Sequence, residues 1–91
     1  MTILIKIPTG LRRFAENTSS LSVEADTVSD ALLVLATSYP NLANKAMSKD
    51  GQLKSFVRVF VNTQAIAAKD FEQVKLTKGD EIALMTAIAG G

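Results

Sequence analysis

The sequence finishes in Gly90-Gly91, and a free carboxylate carried on two glycines is the group in this chain with the clearest chemical potential. At a usage of roughly 7% per position, two glycines fall at a chain end by chance about 0.5% of the time. Two readings stand side by side. One is a frayed or artificially cut terminus, which is common. The other is a slim extended tail whose carboxylate reacts. Without Cβ atoms, such a tail threads a channel too narrow for other residues. Residue arithmetic alone does not separate the two.

What the chain lacks narrows its chemistry. There is no Cys, no His and no Trp. Disulfides, thiolate nucleophiles, Cys/His zinc sites and iron–sulfur ligation are therefore excluded. General base catalysis by His, and any triad built on it, goes with them. A metal would need carboxylate ligands, and the nine Asp+Glu residues are dispersed along the chain. No catalytic residue and no metal ligand is assigned, and the chain is poorly equipped to act as an enzyme by itself. Arg12-Arg13 is the one adjacent pair of cations. It is read as a solvated loop, with contact to an acidic partner surface as the alternative.

The elements that must carry such a tail follow from periodicity. Ile3, Ile5 and Ile7 alternate with Thr2, Leu4 and Lys6, a period of two that predicts a strand ending at Pro8. Thr9-Gly10 is turn material, Leu11-Arg12-Arg13-Phe14 a short irregular turn, and Asn17 to Ser20 a polar loop. Leu21, Val23 and Ala25 predict a second strand, making a hairpin with the first. Val28, Leu32, Leu35 and Tyr39 share one helical face, with Thr27-x-x-Asp30 in capping-box form at its start. Pro40 stops that helix at about Tyr39. Leu42, Ala46 and Met47 allow another helical turn before a turn at Lys49-Asp50-Gly51. Phe56 to Val61 predicts a strand, and Asn62-Thr63-Gln64 turns into a short edge strand at Ala65-Ile66. Lys69 to Lys78 is a connection anchored by Phe71, Val74 and Leu76. Lys78-Gly79-Asp80 then launches a last strand from Glu81 to about Thr86. The remaining Val, Leu and Ile positions, with Phe14 and Tyr39, are read as core.

This β-β-α-β-β-β order predicts an α+β fold, with one main helix on one face of a mixed sheet. Ninety-one residues and 9.7 kDa fit one domain spanning 1–91, with 87–91 as a flexible tail. A composition of 47% hydrophobic and 21% charged residues argues against disorder. A net charge of +1 supplies no global field to recruit nucleic acid or an anionic membrane. Lys6 and Pro8 cut the apolar start far short of a signal-peptide core, and a cytoplasmic location is expected.

The stretch from Gly79-Asp80-Glu81-Ile82-Ala83-Leu84 to Ala87-Ile88-Ala89-Gly90-Gly91 resembles the ending of the MoaD/ThiS family of sulfur carriers, the prokaryotic ubiquitin-like proteins. Ile7-Pro8-Thr9 with Leu11-Arg12 agrees with the family's start, and Phe56 to Asn62 with its third strand and turn. The resemblance covers essentially the whole chain. Its length, Ile-Pro-Thr opening and Ala-Ile-Ala-Gly-Gly ending look most like the carriers of cysteine biosynthesis, although Thr86 stands where many members have proline.

The resemblance implies a ubiquitin-like β-grasp with a four- to five-stranded sheet. It also implies that an E1-like adenylating and sulfurtransferase enzyme, using ATP and Mg²⁺, converts the Gly91 carboxylate to a thiocarboxylate. Ala89 and Gly90 would thread the partner's active site. A cysteine synthase using pyridoxal phosphate and a JAMM-type metalloprotease complete the implied partners, and this chain binds no cofactor itself. In a β-grasp sheet the first, last and third strands are neighbours. Leu4, Lys6, Arg58, Phe60 and Met85, which alternate with the inward residues, would then form one partner-docking patch. The small subunit of molybdopterin synthase and a protein modifier joined to lysines through Gly91 are the alternatives. A plain β-grasp binding module is a third.

Overall fold

The computed structural model describes residues 1–48 and 52–86. The predicted turn at 49–51 and the tail at 87–91 lie outside the described residues. Five strands form one sheet: β1 (Thr2–Lys6), β2 (Ser20–Glu24), β3 (Val57–Val61), β4 (Gln64–Ile66) and β5 (Glu81–Thr86). Their order across the sheet is β2-β1-β5-β3-β4. β1 and β5 run parallel, and the other three neighbouring pairs are antiparallel. The period-two runs decide this arrangement. Ile3, Ile5, Val23, Val57, Val59, Ile82 and Leu84 are all buried, so one face of the sheet is continuous core.

Helix α1 (Val28–Ser38) covers that face with Val28, Ala31, Leu32 and Leu35. The capping-box reading holds at its first turn, where the Asp30 N–H donates to Thr27 Oγ1 at 3.1 Å. Pro40 acts at both ends of a break. It forces Tyr39 out of helical geometry (φ −132°, ψ 81°) and then occupies the first turn of a second helix, α2 (Pro40–Ala46). α2 therefore extends over seven residues rather than a single turn, burying Leu42 and Ala46.

Three local readings need correction. Leu11 to Phe14 is not an irregular turn but part of a 3-10 helix over Thr9–Ala15, organised by burial of Leu11 and Ala15. Leu33 is not core: it is 67% exposed, because the α1 face toward the sheet is filled by its neighbours. Gln64 belongs to β4, leaving Asn62-Thr63 as a two-residue hairpin turn with both residues at positive φ (48° and 73°). The rest follows the α+β β-grasp expectation, with β1, β5 and β3 adjacent at the centre of the sheet.

Candidate functional site

The face of the sheet turned away from the helices carries the five predicted docking residues. Strand register fixes their neighbourhood. Lys6 lies opposite Ala83, and Ala83 lies opposite Phe60 on its other side. Leu4 is opposite Glu81, and Met85 is opposite Arg58. Period two thus brings Leu4, Lys6, Arg58, Phe60 and Met85 onto one surface spanning β1, β5 and β3, as the sequence predicts. Phe60 and Leu4 are half-buried by their neighbours, whereas Met85 is 52% exposed. Met85 stands diagonally across the β3–β5 register from Phe60, and an exposed thioether suits an adaptable contact.

Two members of this surface escaped the sequence reading. Ala83 forms the floor between Lys6 and Phe60, and its small side chain leaves room above it. Glu81 sits on the same strand face, and its Oε1 is 3.1 Å from Lys6 Nζ. The alternation that singled out Met85 also points to both, since each lies two residues from the next. The pair is solvent-exposed on both sides and neutralises Lys6, so Arg58 is the cation on this face without an ion-pair partner among the described residues. On the β2 side the surface turns polar, where Thr2 Oγ1 donates to Glu24 Oε2.

Arg12-Arg13 is not simply a solvated loop. Arg12 Nε donates to the Ile7 carbonyl at 2.9 Å and so holds the 3-10 helix to the end of β1. The Arg13 guanidinium carbon lies 5.0 Å from the Phe14 ring centroid.

The launch of β5 is built from a polar clip. Gly79, at φ 88°, turns the chain where a side chain would be strained. Asp80 Oδ2 accepts from the Thr77 N–H at 2.8 Å, and Asp80 Oδ1 accepts from Asn62 Nδ2 at 3.0 Å. Asn62 Oδ1 in turn accepts from the Glu81 N–H at 3.1 Å. These donors favour the ionised carboxylate, so the Asp80 pKa lies below its ordinary value; the backbone bond from Thr77 contributes most and the Asn62 bond next. The clip fixes the start of β5 and hence the register that ends in Thr86, opposite Val57. Gly91 follows five residues further along the sequence. Ala89, Gly90 and Gly91 themselves lie outside the described residues.

Among the described residues no group of three His, Cys, Asp or Glu could hold a metal ion, and no helix is long and apolar enough to cross a membrane.

A β-grasp sheet with an apolar outer face and a diglycine end is the architecture of ubiquitin-like carriers. The ThiS family profile matches residues 5–91, and the chain belongs to that family. It is similar to sulfur carrier protein CysO of Mycobacterium tuberculosis, 28% identical over 93 residues and covering 100% of both chains. The crystal structure of SAMP1 from Haloferax volcanii superposes with a TM-score of 0.83 at 29% identity, again over 100% of each chain. The Amycolatopsis orientalis BexX/CysO complex matches with a TM-score of 0.82 at 21% identity, covering 98% of this chain and 99% of that one, and speaks to the fold.

Proposed function

We propose that this chain is a sulfur carrier that works through Gly91 and serves cysteine biosynthesis. The observation that carries this reading is the match to CysO over 100% of both chains, within a family match that runs through residue 91.

The chemistry starts with activation. A Gly91 carboxylate oxygen attacks the α-phosphorus of ATP on an E1-like partner, and pyrophosphate leaves. A sulfur nucleophile at the sulfide level then attacks the acyl carbon, AMP leaves, and a thiocarboxylate remains. The thiocarboxylate sulfur passes to a carbon acceptor held by a cysteine synthase, for which that enzyme's pyridoxal phosphate supplies the activation. The resulting thioester rearranges to an amide, and a JAMM-type metalloprotease hydrolyses it to free cysteine. The chain supplies a carboxylate, a slim tail and a docking face; ATP, Mg²⁺ and catalytic groups come from partners. That one relative was crystallised as a BexX/CysO complex supports a mode of action through a second protein. Leu4, Phe60 and Met85 give such a partner an apolar contact, with Lys6 and Arg58 at its edge.

Intact mass of the protein purified gently from its own host tests this. A gain equal to exchange of one oxygen for sulfur, mapped to Gly91, is expected, and an added cysteine identifies the pathway. Only the unmodified mass, under sulfur limitation as well, overturns it. The likeness to SAMP1, whose full name is small archaeal modifier protein 1, favours a second reading in which Gly91 forms an isopeptide bond with lysines. A branched lysine conjugate in the same experiment would establish it.

A further inference from the structure

The molecule is nearly neutral but not evenly charged. β1 and β5 are parallel, so both finish at the end of the sheet where β3 begins with Val57. The 3-10 helix Thr9–Ala15 follows β1 there, and α2 packs against it. Arg12, Arg13, Lys45, Lys54 and Arg58 belong to this end, with Glu16 as its carboxylate among the described residues; Lys6 lies further in, opposite Ala83 and paired with Glu81. Most of the acids lie toward the opposite end, with Lys75 and Lys78 among them. Glu24 and Asp26 meet the amino terminus there, and Asp80 and Glu81 open β5. A net charge of +1 conceals an uneven spread of charge along the strand axis, more positive where β5 ends.

Three of these cations are not consumed internally. Lys6 pairs with Glu81, Arg12 Nε bonds the Ile7 carbonyl, and Lys54 Nζ donates to the Asn44 carbonyl. Arg13, Lys45 and Arg58 are exposed and have no ion-pair partner among the described residues. Arg13 and Lys45 lie 5.0 and 5.6 Å from the centroid of the same Phe14 ring. One ring thus engages two like charges, which a carboxylate-rich surface would neutralise. Arg58 stands near the start of β3 on the outer face of the sheet, opposite Met85 and two residues from Phe60.

We propose that Arg13, Lys45 and Arg58 form a basic collar around the end of the molecule where β5 finishes, and that it docks against an acidic rim at the tail channel of the activating enzyme. This rests on the sulfur-carrier reading. The apolar face holds the partner, while the collar steers the tail-bearing end toward the channel. A charge contact at the rim acts on encounter and leaves the chemical step untouched.

The test uses the full chain and the E1-like enzyme of its host, purified as the fraction that releases pyrophosphate from ATP when this chain is added. Initial rates are measured for wild type, the Arg13→Glu/Lys45→Glu double variant, Arg58→Glu and a Lys75→Glu/Lys78→Glu control from the acidic end. Circular dichroism checks that each is folded. The collar predicts that the double variant raises KM about tenfold at low salt with kcat unchanged, that added salt narrows the difference, and that the control behaves as wild type. Equal KM for all variants, with thiocarboxylate formed normally, overturns the collar alone. A fall in kcat at unchanged KM also overturns it, since steering does not act on chemistry. Binding of a single-stranded RNA oligonucleotide by wild type that the double variant loses, at unchanged enzyme KM, assigns the charge to nucleic acid and overturns it too. Pyrophosphate release that no fraction shows with wild type contradicts the carrier reading, and the collar falls with it.

Discussion

Thr63 has φ 73° in the two-residue turn Asn62-Thr63. A β-branched residue is poorly suited to that region, whereas glycine enters it freely. The hairpin keeps the conformation because β3 and β4 pair on either side and Asn62 is tied to Asp80 and Glu81. Thr63→Gly should therefore stabilise the protein by about 0.5–1 kcal/mol, the strain relieved outweighing glycine's added chain entropy. A urea midpoint no higher than wild type would contradict this. Asp80 carries a second prediction. Its folded pKa is lowered, so the fold favours the ionised form, chiefly through the Thr77 backbone bond and then Asn62. The stability this contributes is present above the unfolded carboxylate range, near 4, and is lost as pH falls through the lowered folded value. Asp80→Asn should be less stable than wild type at pH 7, and the gap should close on acidification. A gap that stays constant from neutral to strongly acidic pH would show that the charge is irrelevant to the clip.

Elements were legible where one face must be buried and the period declares it. The isoleucines of β1, the valines of β3 and the alternation in β5 left little freedom, and the whole outer surface follows from the same alternation. Pro40 was legible as a stop but not as a start, because proline's fixed φ serves either side of a helix break. Leu33 shows where composition misleads: it is a leucine in a strongly apolar helix, yet α1 needs only one face for the sheet. The grouping of cations around Phe14 was invisible, since Arg13 and Lys45 are brought together by packing of α2 on the 3-10 helix. α1 itself gives a sharp comparison. Leu32 is 6% exposed and Leu33 is 67% exposed. Leu32→Ala should cost about 2–5 kcal/mol through the cavity it leaves, whereas Leu33→Lys should stay within about 0.5 kcal/mol of wild type. Equal losses from the two, in paired denaturant titrations, would mean that the helix face is misassigned.

At the scale of the whole molecule, the proposed carrier function separates stability from chemistry along the chain. Among the described residues the buried hydrophobic side chains begin at Ile3 and finish at Leu84. Deleting Gly90-Gly91 should leave the denaturation midpoint unchanged while abolishing pyrophosphate release with the activating enzyme. Phe60→Asp separates the same properties from the other side. Phe60 lies on the outer face beside Ala83, so an aspartate there keeps the core intact but puts a charge in the centre of the proposed docking surface. Central aromatic contacts carry much of an interface's energy, and the substitution should raise KM at least about tenfold with the fold retained. The two variants predict different kinetics: no turnover at any concentration for the deletion, and turnover recovered at high carrier concentration for Phe60→Asp. If the deletion unfolds the protein, the diglycine is structural and the carrier chemistry loses its reactive group. If Phe60→Asp is adenylated with wild-type KM, the partner docks elsewhere, and the apolar outer face is left without a role in activation.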